Sequence, residues 1–258
     1  VSGWVHRRRD HGDLIFVGSP RVSHGGIQTI GAVYVFGRNQ GGANNWGQLK
    51  KLTPDPIDQS SHFGASLAVN GDILVVGARD YYSTGAAFVF GRNQGGPDAW
   101  GQVKRLMAAD AAGSDNFGAS VATDGALIVV GSLGDNVGTH IDQGSAHVFA
   151  RNKGGPDNWG LDTVLTAEDG LSYDYFGRSV AVSDGLAVAG ADGAGPAGRA
   201  YVYRWTHLTA AGESYVAQED TLLTIPAPGV LDNDLGGDGA ALTAVLAGGP
   251  EHGDLELG

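Results

Sequence analysis

The residues best suited to chemistry in this sequence are aspartates that fall between predicted strands. Carboxylate oxygens on loops are the ligands that calcium and magnesium prefer. A bound metal ion could also activate water for ester or phosphoester hydrolysis, and His62 is the candidate base for that reaction. The alternative is that these aspartates close Asx-turns and cap strand ends. The candidate ligands are Asp80, Asp115, Asp135, Asp174 and Asp192.

The charge balance of the chain limits its partners. Its 258 residues include 28 acidic and 16 basic side chains, for a formal net charge of −12, and no cysteine. This charge excludes nucleic acid and anionic membranes as expected partners and is compatible with cations and basic surfaces. No apolar run could span a membrane, and no P-loop or dinucleotide motif is present. We therefore expect no membrane insertion and no nucleotide cofactor.

The aspartates belong to an internal repeat. The segment Phe63-Gly-Ala-Ser-Leu-Ala-Val returns in closely similar form at Phe117 and Phe176, at intervals of 54 and 59 residues. Three tryptophans keep the same two intervals, and four glycines each precede an aromatic, β-branched run that is typical of a strand. These residues are Trp46, Trp100 and Trp159, with Gly31, Gly85, Gly144 and Gly198.

Each repeat predicts four short antiparallel strands. In the second unit, Asn70-Gly71 is a strong hairpin signal, and 73–76 is a continuous apolar run, as expected for a strand covered on both faces. Four strands in about 55 residues are typical of a propeller blade. The sequence therefore predicts an all-β fold, a β-propeller of four-stranded antiparallel blades, about four of them in this chain. The predicted propeller region is 1–212, with units at about 11–62, 63–116, 117–175 and 176–212.

The repeat resembles the FG-GAP repeat, the blade of integrin α-subunit propellers and of many bacterial surface proteins. The resemblance rests on Phe-Gly pairs and later Gly-containing strands, as in Phe63-Gly64 with Val76-Gly77-Ala78, and it covers about 11–212. It implies an extracellular or cell-surface protein, although no signal peptide opens this chain. The calcium loop that integrin blades often carry is not matched, because the corresponding turn at 70–72 is too short.

The blade pattern also predicts which loops share a face. In a four-stranded blade, the outer-to-inner connection and the second-to-third connection emerge on the same side. His62 and all five candidate ligands fall in these connections, so the sequence predicts one acidic face at the mouth of the central channel. The other face carries a recurring Arg-Asn-x-Gly-Gly-x-x-x-Trp loop. Because this loop recurs from unit to unit, we expect its tryptophan to anchor the outer strand.

Residues 213–258 do not continue the repeat. They resemble the start of the cadherin-like or immunoglobulin-like modules of large bacterial adhesins, which need about 100 residues when complete. The resemblance implies a partial β-sandwich-like segment. It also adds three candidate calcium ligands, Asp232, Asp234 and Asp238.

These features predict an extracellular adhesion or ligand-binding propeller fragment with an acidic face as a candidate calcium site. Its expected ligand is a protein or a carbohydrate. Two alternatives stay open: a metal-dependent hydrolase with its site at the channel mouth, and a purely structural spacer. Since four blades do not obviously close a ring, we expect a homodimer that completes a propeller and removes exposed strand edges.

Overall fold

The structure is a computed structural model that describes residues 5–7, 13–23 and 25–204, with the strand at 5–7 described as backbone. The chain divides into two units, Val1–Tyr203 and Arg204–Gly258. The predicted cadherin-like segment at 213–258 lies outside the described residues, and with it lie Asp232, Asp234 and Asp238.

The described residues form four antiparallel sheets, each built from strands that are consecutive in the chain, and we call these sheets blades 1 to 4. Blade 1 contains β1 (Val5–Arg7), β2 (Leu14–Ser19), β3 (Ala32–Gly37) and β4 (Gly47–Leu52). Blade 2 contains β5 (Ser66–Asn70), β6 (Ile73–Ala78), β7 (Ala86–Gly91) and β8 (Gly101–Leu106). Blade 3 contains β9 (Phe117–Thr123), β10 (Leu127–Ser132), β11 (Ser145–Ala150) and β12 (Gly160–Leu165). Blade 4 contains β13 (Ser179–Ser183), β14 (Leu186–Ala191) and β15 (Arg199–Arg204). This all-β architecture confirms the predicted fold class, a β-propeller type with about four blades.

The first strand forms where the sequence shows no Phe-Gly motif. In β1, Val5 pairs with Val17 and Arg7 pairs with Ile15 of β2. An antiparallel ladder consists of backbone hydrogen bonds, so it can form without the side chains that define the repeat. Blade 1 therefore begins before residue 11, where the repeat pattern places its start.

The middle strands of blades 2 and 3 are covered on both faces. Every residue of β6 and β10 is buried, as the continuous apolar runs predict. Ile73 and Val75 of β6 belong to the core shared with blade 3, whereas Leu74 and Val76 belong to the core shared with blade 1. The alternation of side chains along one strand thus joins three blades.

The Phe-Gly pairs lie at the junctions between blades. Phe63, Phe117 and Phe176 are fully buried. The Phe63 ring packs edge-on against Phe88 of its own blade, with 5.4 Å between ring centroids. Each phenylalanine also bridges to a glycine of the preceding blade, Phe63 to Gly31, Phe117 to Gly85 and Phe176 to Gly144, so these rings pack between blades. Trp100 and Trp159 are also buried, and Trp100 packs edge-on against Phe16 of blade 1, with 5.0 Å between ring centroids.

Candidate functional site

Three loops beside blade 2 enclose a cleft of about 500 Å³, which we call the Asp80 cleft. One loop joins β4 to β5, one joins β6 to β7, and one joins β8 to β9; these are the connections that the sequence assigns to one face. Backbone hydrogen bonds hold the loops together, from Asp80 N to the Ser61 carbonyl and from Ser114 N to the Ser83 carbonyl. The lining residues are Asp58, Gln59, Ser60, His62, Asp80, Tyr82, Ser83, Ser114 and Asn116.

The predicted base and one predicted metal ligand meet in this cleft. Nδ1 of His62 lies 2.6 Å from Oδ2 of Asp80. The contact is close but lacks the alignment of a hydrogen bond, so Nδ1 has no hydrogen-bond partner among the described residues. Asn116 donates to Oδ1 of Asp80 at 3.4 Å, and Arg79 donates to Oδ2 at 3.5 Å. The Asp80 carboxylate therefore lies within reach of an amide donor, a guanidinium and the His62 ring.

The left-handed backbone at His62 is a property of the blades and not of the cleft. His62 has φ 53°, and the residues at the same position before the next two Phe-Gly pairs, Asn116 and Tyr175, have φ 55° and 57°. Such a conformation is costly for a non-glycine residue. Because it recurs at every junction whatever the side chain, the backbone geometry does not itself mark a binding site.

Asp80 differs from its counterparts in the following blades. The backbone N–H of Asp80 donates to Ser61, and the same bond is made by Gly134 to Asp115 and by Gly193 to Asp174. Blades 3 and 4 thus have glycine where blade 2 has a carboxylate. A feature present in one blade is a better candidate for function than a feature that every blade needs for packing.

Two of the predicted ligands close turns within their own loops. Asp115 Oδ2 accepts a hydrogen bond from the backbone N–H of Ala112 at 2.6 Å, and Asp174 Oδ2 accepts one from Leu171 at 2.8 Å. Both aspartates are buried. Burial raises the pKa of Asp115, and repulsion from nearby carboxylates adds to the rise. For these two residues the structure agrees with the turn alternative.

Asp135 lies close to a buried histidine. His147 is buried, and its Nε2 lies 3.1 Å from the Ser145 hydroxyl oxygen. Burial raises the pKa of Asp135 and lowers the pKa of His147, because each charged form loses hydration. Asp135 thus belongs to a polar cluster inside blade 3 and does not line the Asp80 cleft.

The fifth predicted ligand is paired with a cation. Asp192 Oδ2 lies 2.8 Å from Nε of Arg178, and both side chains are more than half exposed. Among the described residues, no group of three or more His, Asp or Glu side chains is arranged to hold a metal ion.

A family model for the FG-GAP repeat matches residues 46–90, 100–149 and 159–203, which is more than half of the chain. The chain belongs to the FG-GAP repeat family. Each matched FG-GAP segment begins just before or at the outer strand of one blade and ends in the third strand of the next blade. Each sequence repeat therefore spans a junction between two blades, and its Phe-Gly pair lies at that junction. No curated protein matches the chain.

FG-GAP repeats indicate an extracellular adhesion or ligand-binding domain of the propeller type, and they typically occur in extracellular or surface proteins. Within the part of the chain that the structure describes, no helix is long and apolar enough to cross a membrane.

Of the residues that line the Asp80 cleft, sequence reasoning singled out only His62 and Asp80 as candidates; Asn116 and Tyr82 show why others were missed. Asn116 precedes a Phe-Gly pair, at the position that His62 holds one blade earlier, so the repeat alignment could have identified it. Tyr82 lies within the short helical turn Tyr81–Ser83 and has no counterpart motif. Its side chain is 55% exposed, and nothing in its spacing distinguishes it from a core tyrosine.

Proposed function

We propose that this FG-GAP chain is an extracellular adhesion domain that binds a neutral carbohydrate in the Asp80 cleft. The observation that carries the proposal is the lining of the cleft. All nine lining residues have hydrogen-bonding side chains, and one of them, Tyr82, presents an exposed aromatic ring. Polar groups that fix orientation beside an aromatic surface suit a hydroxyl-rich ligand.

The cleft offers both kinds of hydrogen-bonding partner that sugar hydroxyl groups require. Asp58 and Asp80 supply carboxylate acceptors, and the Asn116 amide supplies donors and an acceptor. Three serine hydroxyls, from Ser60, Ser83 and Ser114, can do either. One Asp58 oxygen already accepts the Tyr82 backbone N–H at 2.7 Å, which holds the first two loops in place.

The Tyr82 ring is held by a rigid neighbour. It packs edge-on against Tyr81, with 4.6 Å between centroids. Tyr81 is fully buried, donates from its hydroxyl to the Pro56 carbonyl at 3.1 Å, and accepts from Arg105 at 3.0 Å. A fixed aromatic face can stack on the C–H face of a sugar ring with little loss of side-chain entropy.

The charge and size of the cleft narrow the ligand class. Asp58 and Asp80 lie in a chain with a net charge of −12, which disfavours sugars that carry carboxylate or sulfate. A cleft of about 500 Å³ falls within the usual range for small-ligand sites. A neutral mono- or disaccharide unit fits both conditions.

A glycan array followed by calorimetric titration of the best neutral glycan tests this proposal. We expect Tyr82→Ala and Asp80→Asn each to weaken binding by about tenfold. Tyr173→Ala is a matched control, because Tyr173 is 52% exposed, also has a left-handed backbone, and lies outside the cleft. Asp192→Asn controls for the loss of a surface carboxylate.

Two results would contradict the proposal. One is an array on which no neutral glycan binds the protein. The other is a binding glycan whose affinity falls as much with Tyr173→Ala and Asp192→Asn as with the two cleft variants.

The calcium-binding face and the metal-dependent hydrolase stay predictions of the sequence. Repeating the titration in calcium and in excess EDTA tests the first. A calcium requirement that disappears with Asp80→Asn would assign the ion to the cleft. Turnover of activated esters or phosphoesters that EDTA abolishes would support the hydrolase.

A further inference from the structure

Blade 4 carries a second groove, of about 570 Å³, along its side that faces away from blade 3. It is distinct from the Asp80 cleft. Its lining includes Ser179, Gly190, Ala191, Ala197, Gly198 and Ala200. In blades 1 to 3, the equivalent positions contact the Phe-Gly pair of the following blade. These three junctions show what a groove of this kind binds, and we call them its templates.

The first part of each template is a strand glycine that lies against the glycine of the following blade's Phe-Gly pair. A Cβ on Gly77 would collide with the carbonyl oxygen of Gly118, and a Cβ on Gly131 would collide with that of Gly177. Gly190 holds this position in blade 4. There, the nearest atom to an added Cβ is the hydroxyl of Ser179 in the same blade, at 2.5 Å. Among the described residues, no later Phe-Gly pair approaches Gly190.

The second part is a serine hydroxyl that reaches across the junction. Ser66 donates to the Gly118 carbonyl at 2.8 Å, and Ser120 donates to the Gly177 carbonyl at 2.7 Å. Ser179 is the equivalent serine of blade 4. No residue in the described part of the chain accepts a hydrogen bond from its hydroxyl. The groove therefore presents the same donor at the place where the earlier junctions have a glycine carbonyl.

The third part is the backbone that receives the phenylalanine. Gly85 bridges to Phe117 and Gly144 bridges to Phe176 in parallel fashion. The phenylalanine N–H donates to the carbonyl just before that glycine, as from Phe176 to Gln143 at 2.7 Å. Gly198 repeats this glycine in blade 4, with a positive φ of 70°. The Ala197 carbonyl is the matching acceptor.

An apolar face extends from the groove along the blade. Val89 of blade 2 and Val148 of blade 3 are fully buried at their junctions, whereas Val202, at the same position in blade 4, is 65% exposed. Ile73 and Leu127 are buried, whereas the equivalent Leu186 is 37% exposed. At these two positions blade 4 thus exposes apolar side chains that blades 2 and 3 bury against a following blade, although Arg199 stands where they have the buried Ala86 and Ser145. Burial of such apolar surface drives association.

We propose that this groove binds the inner strand of a further FG-GAP-type blade, one that enters with its Phe-Gly pair against Gly190 and Gly198. The inner strand is the right unit of recognition, because β9 makes most of the contacts between blade 3 and blade 2. A second folded copy of this chain is a weaker match. Its pairs at Phe63, Phe117 and Phe176 are already buried in its own junctions.

A synthetic peptide with the sequence of residues 114–123, which contains Phe117-Gly118, tests the proposal on the full chain. We expect saturable binding by fluorescence anisotropy. The same peptide with Phe117→Ala and Gly118→Val should lose at least about tenfold in affinity, since it lacks the ring and cannot approach Gly190. In the protein, Val202→Asp should weaken binding to a similar degree.

Val103→Asp is the matched control, because Val103 is an exposed strand valine on the outer strand of blade 2, away from the groove. It should leave peptide binding unchanged. Circular dichroism of the Val202→Asp and Val103→Asp variants checks that both proteins fold. Since Val202 is exposed, its replacement removes no buried contact within the described residues.

Two outcomes would overturn the proposal. One is the absence of saturable binding up to about 1 mM peptide, which is weaker than any specific docking site would be expected to be. The other is a homodimer in analytical ultracentrifugation that Val202→Asp dissociates and that the peptide does not displace. That result would assign the face to a second copy, as the blade count predicts from the sequence. Neither outcome bears on carbohydrate binding in the Asp80 cleft.

Discussion

His147 packs edge-on against Phe117 in blade 3, with 5.1 Å between ring centroids, just as Phe88 packs against Phe63 in blade 2 at 5.4 Å. A titratable ring thus occupies a core position that is aromatic in the other blades. Burial lowers the pKa of His147, while attraction to Asp135 and Asp110 opposes the shift only in part. Burial at this position therefore favours the neutral form of the imidazole.

His147→Phe should make the protein more resistant to mild acid. A buried histidine with a lowered pKa contributes stability above its unfolded pKa, near 6.5, and that contribution is lost as the pH falls through the folded value. Phenylalanine fits the same site, as Phe88 shows. We expect Tm to fall less between pH 7 and pH 5 in the variant than in the original protein. His140→Phe is the control, and an equal effect of both changes would refute this explanation.

Asp115→Asn should stabilise the protein at neutral pH. Burial is the main cause that raises the folded pKa of Asp115 above its ordinary value, so the native state disfavours the charged form relative to the unfolded chain. Its stabilising contribution is complete below the unfolded pKa and is lost as the pH rises through the folded pKa. Asparagine keeps an acceptor for the Ala112 N–H and removes the charge.

The expected result is a Tm increase of a few degrees at pH 7 and little change near pH 4, measured by differential scanning calorimetry. Asp124→Asn is the matched control, because Asp124 also closes a turn, by accepting from Ala126 and Leu127. A stabilisation by Asp115→Asn that is the same at both pH values would show that charge is not its cause.

Gly131→Ala and Gly190→Ala should differ sharply although both residues occupy the same position in successive blades. A methyl group at Gly131 meets the backbone carbonyl of Gly177, which cannot move without separating blades 3 and 4. A methyl group at Gly190 meets only the hydroxyl of Ser179, which can rotate. We expect about 1–3 kcal/mol of destabilisation for Gly131→Ala and about 0.5 kcal/mol or less for Gly190→Ala.

Urea denaturation measures both changes directly. Equal destabilisation by the two substitutions would mean that Gly190 is packed against a neighbour in solution. In that case the groove on blade 4 would already be filled in the isolated protein.

Repetition made the fold predictable from the sequence. The intervals between Phe63, Phe117 and Phe176 identify the blades, because each unit needs the same aromatic ring and the same glycine contacts at its junction. The apolar run at 73–76 identifies a strand covered on both sides for a similar reason. The repeat pattern did not predict β1, since backbone pairing forms that strand without the motif.

The candidate site was predictable only in part. The sequence placed His62 and Asp80 on one face, and they meet at 2.6 Å. It could not separate Asp80 from Asp115, since both are loop aspartates, although one lines a cleft and the other closes a turn. That difference depends on whether the carboxylate accepts from a backbone N–H of its own loop, as Asp115 does, or contacts side chains of other loops, as Asp80 does.

The spacing of residues along the sequence therefore determines which segments form the blades. Strand pairing and packing at the junctions depend on short, repeated patterns of side chains. The contacts of each loop depend instead on how three consecutive blades stack, and that is a property of the folded chain. Asp80, His62 and Asn116 come from three different loops and meet in one cleft only through this stacking. The exposure of Val202 has the same origin, since Val202 holds the position of Val89 in its strand but has no following blade against it among the described residues.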